Sequence, residues 1–348
     1  MRSSNEEKLL TVAVPAYNAE RFLEKALTSL CVEELLPYME VLIIDDGSTD
    51  ATADIAHRFT EHWPDSFFLI QKENGGHGSG INVALEKAHG KYFKVLDADD
   101  WFEKKNLTVF LEKIAKTEAD VVINSFETVD ADNGNICMHE LGIHAPEETV
   151  DMDRFMTLYS TIRDCCSFHG VTYKTELCRA SGHRLTEGVY YDDQEYATVY
   201  FAGASSVLLL PFVLYCYRIG DVNQSVSAAN QVRNFNHVLA ILNSILNYWN
   251  ENEPFPHSIN SYFRQKAALL AASAYAIALI KNPDKNAGRA QAKRVTELLQ
   301  ANRTELIAAT AKKRRTMILF SAVGMTPQTY QRLLDSRLYR KIRDLWLG

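Results

Sequence analysis

Val95-Leu96-Asp97-Ala98-Asp99-Asp100-Trp101 decides how this chain is read. An apolar run over 92–96 carries the backbone as a strand straight into three carboxylates. Carboxylates cost free energy unless they are hydrated, paired or bound to a cation. Alternate residues of an extended segment point to the same side, so Asp97 and Asp99 can share one site. Hard oxygen ligands suit Mg2+ or Mn2+, which usually also take substrate phosphates and water. A strand ending this way at the rim of a sheet can therefore hold a divalent ion and, through it, a diphosphate. Upstream, the apolar run 40–44 ends in a second acidic pair, Asp45-Asp46. Its continuous apolar character is that of a strand buried on both faces of a parallel sheet.

Outward from these two stretches, strand and helix patterns alternate. Residues 9–15 read as a first strand. Residues 19–31 have helical spacing, with Phe22, Leu23, Ala26, Leu27 and Leu30 on one face. Gly47-Ser48-Thr49-Asp50 is a turn and helix start, and that helix is stopped by Pro64. A strand at 67–71 leads to the glycine-rich loop Gly75-Gly76-His77-Gly78-Ser79-Gly80, which feeds a helix from Ile81 to about His89. Helix over 107–117 and strand over 121–124 follow. The alternation predicts an α/β fold with a mostly parallel, doubly wound sheet. Ligands bind such sheets beyond the carboxyl ends of the strands. Three polar clusters are expected there: Ala16-Tyr17-Asn18, Asp45-Asp46 and Asp97-Ala98-Asp99.

The pattern weakens from 130 to 182. Residues 191–195, Tyr-Asp-Asp-Gln-Glu, form an acidic cluster, and 206–217 reads as two apolar strands broken at Pro211. Beyond about Ala228 long helical patterns take over (232–249, 261–280 and 287–311), with Pro254, Pro256 and Pro283 in the joints. Two domains are expected, 1–227 and a helical 228–348, in keeping with a chain of 348 residues.

The formal charge of -7 argues against a general nucleic-acid binder. Met1 to Lys8 is polar, so no secretory leader is expected, and no uninterrupted apolar stretch is long enough to span a bilayer. The six cysteines lack a Cys-x-x-Cys spacing or a regular framework and read as reduced thiols of a cytoplasmic protein.

Four segments, Val12-Ala13-Val14-Pro15-Ala16-Tyr17-Asn18, Ile43-Ile44-Asp45-Asp46-Gly47-Ser48-Thr49-Asp50, Asn74-Gly75-Gly76 and Leu96-Asp97-Ala98-Asp99-Asp100-Trp101, resemble in order and spacing the signatures of family-2 inverting glycosyltransferases with the GT-A nucleotide-sugar-binding fold. The resemblance is strong over the first third and weaker to about Ser227. It implies a UDP-sugar donor and a Mn2+ or Mg2+ cofactor. Asp99 would be the direct metal ligand, with Asp97 contacting the ribose or the metal's waters. Asp46 would accept the imide N–H of uracil, Tyr17 would stack on the base, and Pro15 would set the loop. Asn74 and Gly75 belong to a loop whose backbone N–H groups can approach an anion. Many relatives carry an Arg where this chain has Ile81, and His77 is the candidate replacement. Asp100 fits a helix N-cap, Asp45 a structural role, and His169 is left as a structural histidine.

An inverting transfer needs a base for the acceptor hydroxyl, and a carboxylate is the usual one. The family places it as the second acid of a pair, which Asp193 matches, with Asp192 beside it. Taken alone, the segment also reads as a solvated acidic turn. Trp101, Asp192 and Arg218 are further candidates for donor or acceptor contacts, and Gln224 and Ser225 for the diphosphate. The basic C-terminal run Lys312-Lys313-Arg314-Arg315, with Arg332, Arg337, Arg340, Lys341 and Arg343 among Leu338, Tyr339 and Trp346, fits either an anionic membrane surface or a solvated helix face. The expected acceptor is a cell-surface glycan or lipid-linked saccharide at the inner face of the plasma membrane; nucleic acid is not expected, and a homo-oligomer is open. A sugar-nucleotide pyrophosphorylase would need a Gly-rich loop with Arg after the first strand, and Pro15-Ala16-Tyr17-Asn18 stands there instead. The alternative from another class is a non-catalytic nucleotide-sugar-binding or scaffold subunit of a polysaccharide assembly system.

Overall fold

A computed structural model describes residues 8–142, 147–220 and 227–335. The chain divides into two compact units, residues 1–221 and 222–348. In the first, strands β1 (Leu10–Ala16), β2 (Met39–Asp45), β3 (Phe67–Gln71) and β4 (Tyr92–Val95) alternate with helices α1 (Leu23–Leu30), α2 (Thr52–His62) and α3 (His77–Lys87). Then come β5 (Trp101–Phe102), α4 (Lys104–Ala115), β6 (Val121–Asp130), β7 (Ile136–His139), β8 (Thr149–Asp151), α5 (Met152–Ile162), β9 (Val171–Lys174), α6 (Thr175–Ala180), α7 (Asp192–Val199) and β10 (Ser206–Ile219). Among the described residues ten strands form one sheet, with the path β3-β2-β1-β4-β9-β6-β10-β5; β7 pairs with β6 and β8 with β10.

Strands β1 to β4 are mutually parallel, as are β6 and β10; β9 lies antiparallel between β4 and β6. Every residue of β1 and β2 is buried, as expected of strands covered on both faces. Their register pairs Ala16 with Asp45, so both carboxyl ends finish at the same level. Ala13 pairs with Val95 in β4, which brings the chain out at Asp97 beside them.

Several elements differ from the sequence pattern. Helix α3 starts at His77, four residues before Ile81, because its glycines serve as close contacts inside the first turn. A Cβ on Gly80 would lie 3.1 Å from Cβ of Pro15. Strand β10 is continuous through Pro211, with register irregularities between Leu210 and Tyr215; proline is exposed there, where the ladder is broken. The acidic segment is the first turn of α7, with Asp192 and Glu195 buried. Asp100 caps no helix: Glu103 holds the N-cap position of α4.

The second unit is helical: α8 (Ala228–Arg233), α9 (Phe235–Glu251), α10 (His257–Ala276) continued by a π turn (Ile277–Lys281), α11 (Lys285–Asn302), α12 (Thr304–Ala322) and α13 (Pro327–Asp335). The long pattern expected over 287–311 breaks at Arg303. Its guanidinium lies 4.1 Å from the Trp249 ring centroid and 2.9 Å from Glu253, which fixes the turn between α11 and α12. By length and composition, residues His257–Lys281 are long and apolar enough to cross a membrane, and 72% of the most apolar 18-residue window in that stretch is buried within the protein. The described cysteines are all free thiols, with Cys165 and Cys166 buried.

One core residue defies its strand. Lys94 of β4 is fully buried, and its ammonium donates to the carbonyls of His169 at 3.0 Å and Val171 at 3.1 Å. Burial pushes its pKa down to about 7. Between that value and the unfolded value near ~10.4, the unfolded chain binds more protons than the native one, so the contribution of Lys94 to stability rises with pH across this window. In urea titrations at pH 7 and pH 10, the stability of the protein relative to Lys94→Met should therefore rise at the higher pH. A difference that stays flat would refute the depressed pKa.

Candidate active site

The carboxyl ends of β1, β2 and β4 gather the polar residues in layers. The outermost is the β1 loop. Tyr17 is 54% exposed. Asn18, with φ 48°, accepts the Thr49 N–H at 2.8 Å and donates its own N–H to Ser48 at 3.0 Å. This clasp holds the loop after β1 to the loop after β2. Pro15 is buried against Gly80, so it sets the seat of α3.

Asp45 accepts from the Ser48 N–H and the Gln71 amide, a structural role. Asp46 is also buried. Its carboxylate accepts the N–H groups of Gly75 at 3.0 Å and Gly76 at 2.8 Å and pairs with Lys72 at 2.6 Å. The glycine loop is thus held by Asp46 from below, with Asn74 exposed at its outer side. Gly76 sits at φ 85°, and a Cβ there would meet Gly188 N at 3.1 Å; glycine admits both the dihedral and the approach. Gly188 N–H donates to Gly75 O at 2.7 Å, joining the loop to the segment before α7.

His77 opens α3 and joins the two halves of the site. Its Nδ1 lies 2.7 Å from Asp192 Oδ2 and its Nε2 2.9 Å from Asp97 Oδ1. Burial works against the charged ring, but Asp192 and Asp97 outweigh it and hold the imidazolium well above the usual histidine range. Asp97 in turn is held low: burial raises it, and the pairing with His77 overcomes that. Both ring nitrogens are engaged, so His77 does not stand in for the missing arginine as a diphosphate donor here. Asp192, nearly buried, spends its Oδ2 on the same ring, not on solvent.

Asp99 is a third exposed and lies 3.9 Å from the Arg218 guanidinium. Burial and then the charge of Asp97 push its carboxyl up to about 6. Asp100 is buried. It accepts the Tyr215 hydroxyl at 2.6 Å and the Arg218 N–H at 2.7 Å, which ties the acidic loop to β10. The Tyr215 hydroxyl also accepts the Asp97 N–H at 3.1 Å. Arg218 lies over the Phe22 ring, 4.3 Å from its centroid. Trp101 is paired in β5 with Cys216, and its ring lies under the Lys25 ammonium, 2.9 Å from the centroid.

Asp193 follows Asp192 in the first turn of α7 and accepts the Gln194 amide at 2.7 Å. Tyr191, at φ 74°, turns the chain into this helix. Buried Glu195 anchors the preceding loop through His183 and the Thr186 N–H, and Asn82 of α3 holds Leu185 from the other side. Asp193 shares a neighbourhood with the other acids: burial and the charges of Asp100, Asp97, Asp193 and Asp99 together raise the pKa of the Tyr217 phenol.

Sequence reasoning missed the layer behind the acids. His169 stacks on Tyr217 with centroids 4.1 Å apart, and ligand atoms of Asp97, Asp100 and His169 lie within 4.8 Å of one another. Burial pushes His169 down to about 4, leaving a neutral imidazole at neutral pH. A lone histidine in a weakly patterned region gives no warning of this. The alternation Tyr215, Tyr217 on β10 was the available signal for the supporting hydroxyls. Gln224 and Ser225, and the tail residues from Arg337 onward, lie outside the described residues.

Residues 11–180 match the family model described as Glycosyl transferase family 2. Over that segment the chain is similar to the family, in agreement with the order of the four motifs. It is 30% identical to the glycosyltransferase GlyA of Streptococcus pneumoniae over 219 residues, 60% of this chain and 30% of that protein. It is 30% identical over 162 residues to TuaG of Bacillus subtilis, a glycosyltransferase named for teichuronic acid biosynthesis, covering 47% of this chain and 62% of TuaG. The matched part thus spans less than two thirds of either relative. Among solved structures, Staphylococcus aureus TarS 1-349 in complex with UDP-GlcNAc aligns over 91% of this chain and 92% of that one, with TM-score 0.64 at 19% identity. The Pyrobaculum calidifontis mannosyltransferase PcManGT, in complex with GDP-Man and Mn2+, aligns over 91% and 87% with TM-score 0.51 at 20% identity. At these identities the likeness is one of fold, and it agrees with the GT-A architecture expected from the motifs.

The Asp46 clasp carries a direct consequence. In Asp46→Asn the amide NH2 faces a backbone N–H and Lys72 loses its counter-charge. Stability should fall by about 1–3 kcal/mol in urea titrations, and the Gly75 and Gly76 amides should exchange faster with deuterium. An unchanged midpoint with unchanged exchange would remove the clasp.

Proposed function

We propose that this chain is a metal-dependent inverting glycosyltransferase that moves a sugar from a UDP-sugar to a hydroxyl of a cell-surface glycan or lipid-linked acceptor. The observation that carries the proposal is the Asp97–His77–Asp192 bridge. It draws the acidic loop after β4 and the acid pair opening α7 to one side of the sheet's carboxyl edge, although 95 positions separate Asp97 from Asp192.

The donor set fits a hard divalent ion. Asp97 and Asp99 offer carboxylate oxygens two positions apart, and Asp99 is raised first by burial and then by the charge of Asp97, which Arg218, at 3.9 Å, answers only in part. Asp97 and Asp99 would hold Mn2+ or Mg2+, which when bound supplies Lewis-acid neutralisation of a departing diphosphate. The Mn2+ of PcManGT supports a divalent ion without choosing between the two metals.

The chain's own residues divide the remaining work. Tyr17, exposed at the end of β1, offers a face to the base, and Asp46 holds the adjoining loop while its remaining lone pair faces the role of uracil acceptor. Arg218 lies beside Asp99 for a phosphate oxygen. Asp193 takes the proton of the acceptor hydroxyl, and positioning of donor and acceptor supplies much of the rest. UDP-GlcNAc in TarS supports a uridine donor, and the name of TuaG supports a cell-surface polysaccharide as acceptor. Such an acceptor puts the enzyme at the inner face of the plasma membrane. Helix α12, with Lys312 and Lys313 exposed near Leu319 and Val323, suits contact with anionic lipid there.

A panel of UDP-, GDP- and dTDP-sugars with Mn2+ or Mg2+, read by nucleotide release with and without chelator, tests the class. Chelator-sensitive release from one UDP-sugar is expected; nucleotide binding with no turnover of any donor would favour a binding subunit. Asp193→Asn should lower kcat by roughly 10²–10⁴-fold with donor KM little changed, and full activity in that variant would sink the base assignment. Asp99→Ala should turn over at the rate of the parent in chelator and gain nothing from added metal. Metal-stimulated turnover at the parental level would take Asp99 out of the ligand set.

A further inference from the structure

The helical unit carries a groove of about 410 Å³ between α11, α12 and the π turn that ends α10. Five of its lining residues are cations: Lys285, Arg289 and Lys293 on α11, and Arg314 and Arg315 on α12; none of the lining residues is acidic. This stands out on a chain whose net charge is -7. Among the described residues, Arg289, Arg314 and Arg315 have no carboxylate within ion-pair reach, and Lys293 has only the exposed Glu297 one turn on, at 3.6 Å. Like charges gathered in one concavity repel each other, and the cost falls when an anion enters.

The cations are set for more than a point charge. Lys285, Arg289 and Lys293 recur every four residues, so they line one face of α11 at steps of roughly 6 Å and span about 12 Å. Arg314 faces them from α12 and is already oriented: its guanidinium donates to Thr296 Oγ1 at 3.2 Å and lies 5.9 Å from the Tyr275 ring centroid. The Tyr275 hydroxyl and Thr296 are themselves 2.8 Å apart. Leu279 and Ala292 supply apolar lining between the charged rows. An open groove with cations at regular steps along α11, faced by Arg314 and Arg315 of α12, suits a linear chain with an anion on each repeat better than it suits a single small anion.

We propose that this groove binds a linear polyanionic glycan, one bearing phosphate or carboxylate on successive repeats. Resting on the transferase reading above, it names the class of acceptor: an anionic polymer held by the helical unit.

The test uses the full chain, without nucleotide or metal, titrated with fluorescently labelled polygalacturonate or long-chain inorganic polyphosphate, with neutral dextran as control. Either polyanion should bind and dextran should not. The triple variant Arg289→Ala, Lys293→Ala and Arg315→Ala should weaken binding on the order of tenfold, and raised salt should do the same to the parent. A matched triple in the first unit, Lys87→Ala, Lys105→Ala and Lys116→Ala, should leave affinity unchanged. Circular dichroism checks that both variants are folded. Equal binding by the groove triple, or no polyanion binding above dextran, overturns the proposal. Phosphatidylglycerol vesicles that bind where the free polymers do not also overturn it, in favour of a membrane contact. Donor hydrolysis without acceptor is followed on the same proteins: the groove triple should retain it. Absence of turnover in the parent strikes the transferase reading alone, since the polymer titration requires no catalysis.

Discussion

Crowding of negative charge at one edge of the sheet is the constraint that the first unit is organised around. Asp46, Asp97, Asp99, Asp100, Asp192 and Asp193 approach this edge from three segments of the chain, and a buried carboxylate without a partner is costly. Each has a different answer. Asp46 has two loop amides and Lys72; Asp100 has the Tyr215 hydroxyl and the Arg218 amide; Asp193 has the Gln194 side chain. Asp97 and Asp192 share one imidazolium, so His77 both neutralises and spaces them. Asp99 is the least well answered, with an arginine at 3.9 Å and a carboxyl raised to about 6.

Helix α3 shows how sequence, packing and site are linked. Its glycines are read locally as loop residues, since glycine is a poor helix former. In the fold they are the places where neighbours press in: Pro15 on Gly80 and the Thr186 carbonyl on Gly78, where a Cβ would lie 2.8 Å away. Only a helix with so bare a first turn can sit this close to β1 and to the loop before α7. That approach puts the His77 ring between the two carboxylates. The helix-propensity cost is therefore offset by tertiary contact, and the cost falls at the residues that build the site.

The helical unit follows a different logic. Its core is apolar and aromatic, with Tyr262, Phe263 and Tyr275 fully buried, and most of its charge lies at the surface, Lys266 and Arg303 excepted. The periodicity of α9 and α10 announced them plainly. The break at Arg303 did not show, because a guanidinium over Trp249 beside Glu253 joins residues about fifty positions apart. The basic groove has the same origin. Lys285, Arg289 and Lys293 are a visible i, i+4, i+8 series, but only the return of α12 turns that series into a channel.

Sequence alone determined the parallel core of the sheet, the four motifs at its carboxyl ends and the family they resemble. Those features are local: apolar runs dictate buried strands, and acids or glycines just past them dictate where the polar groups emerge. It also picked out Asp97, Asp99, Asp192 and Asp193 by residue type. Tertiary structure alone decided which of them meet. Strand β9 slips antiparallel between β4 and β6 from a region with no clear pattern, and with it comes His169, stacked on Tyr217 behind the acids. His77 became a bridge and Asp100 an anchor for the same reason: hydrogen bonds and charge pairing act through space, between residues 20 to 118 positions apart.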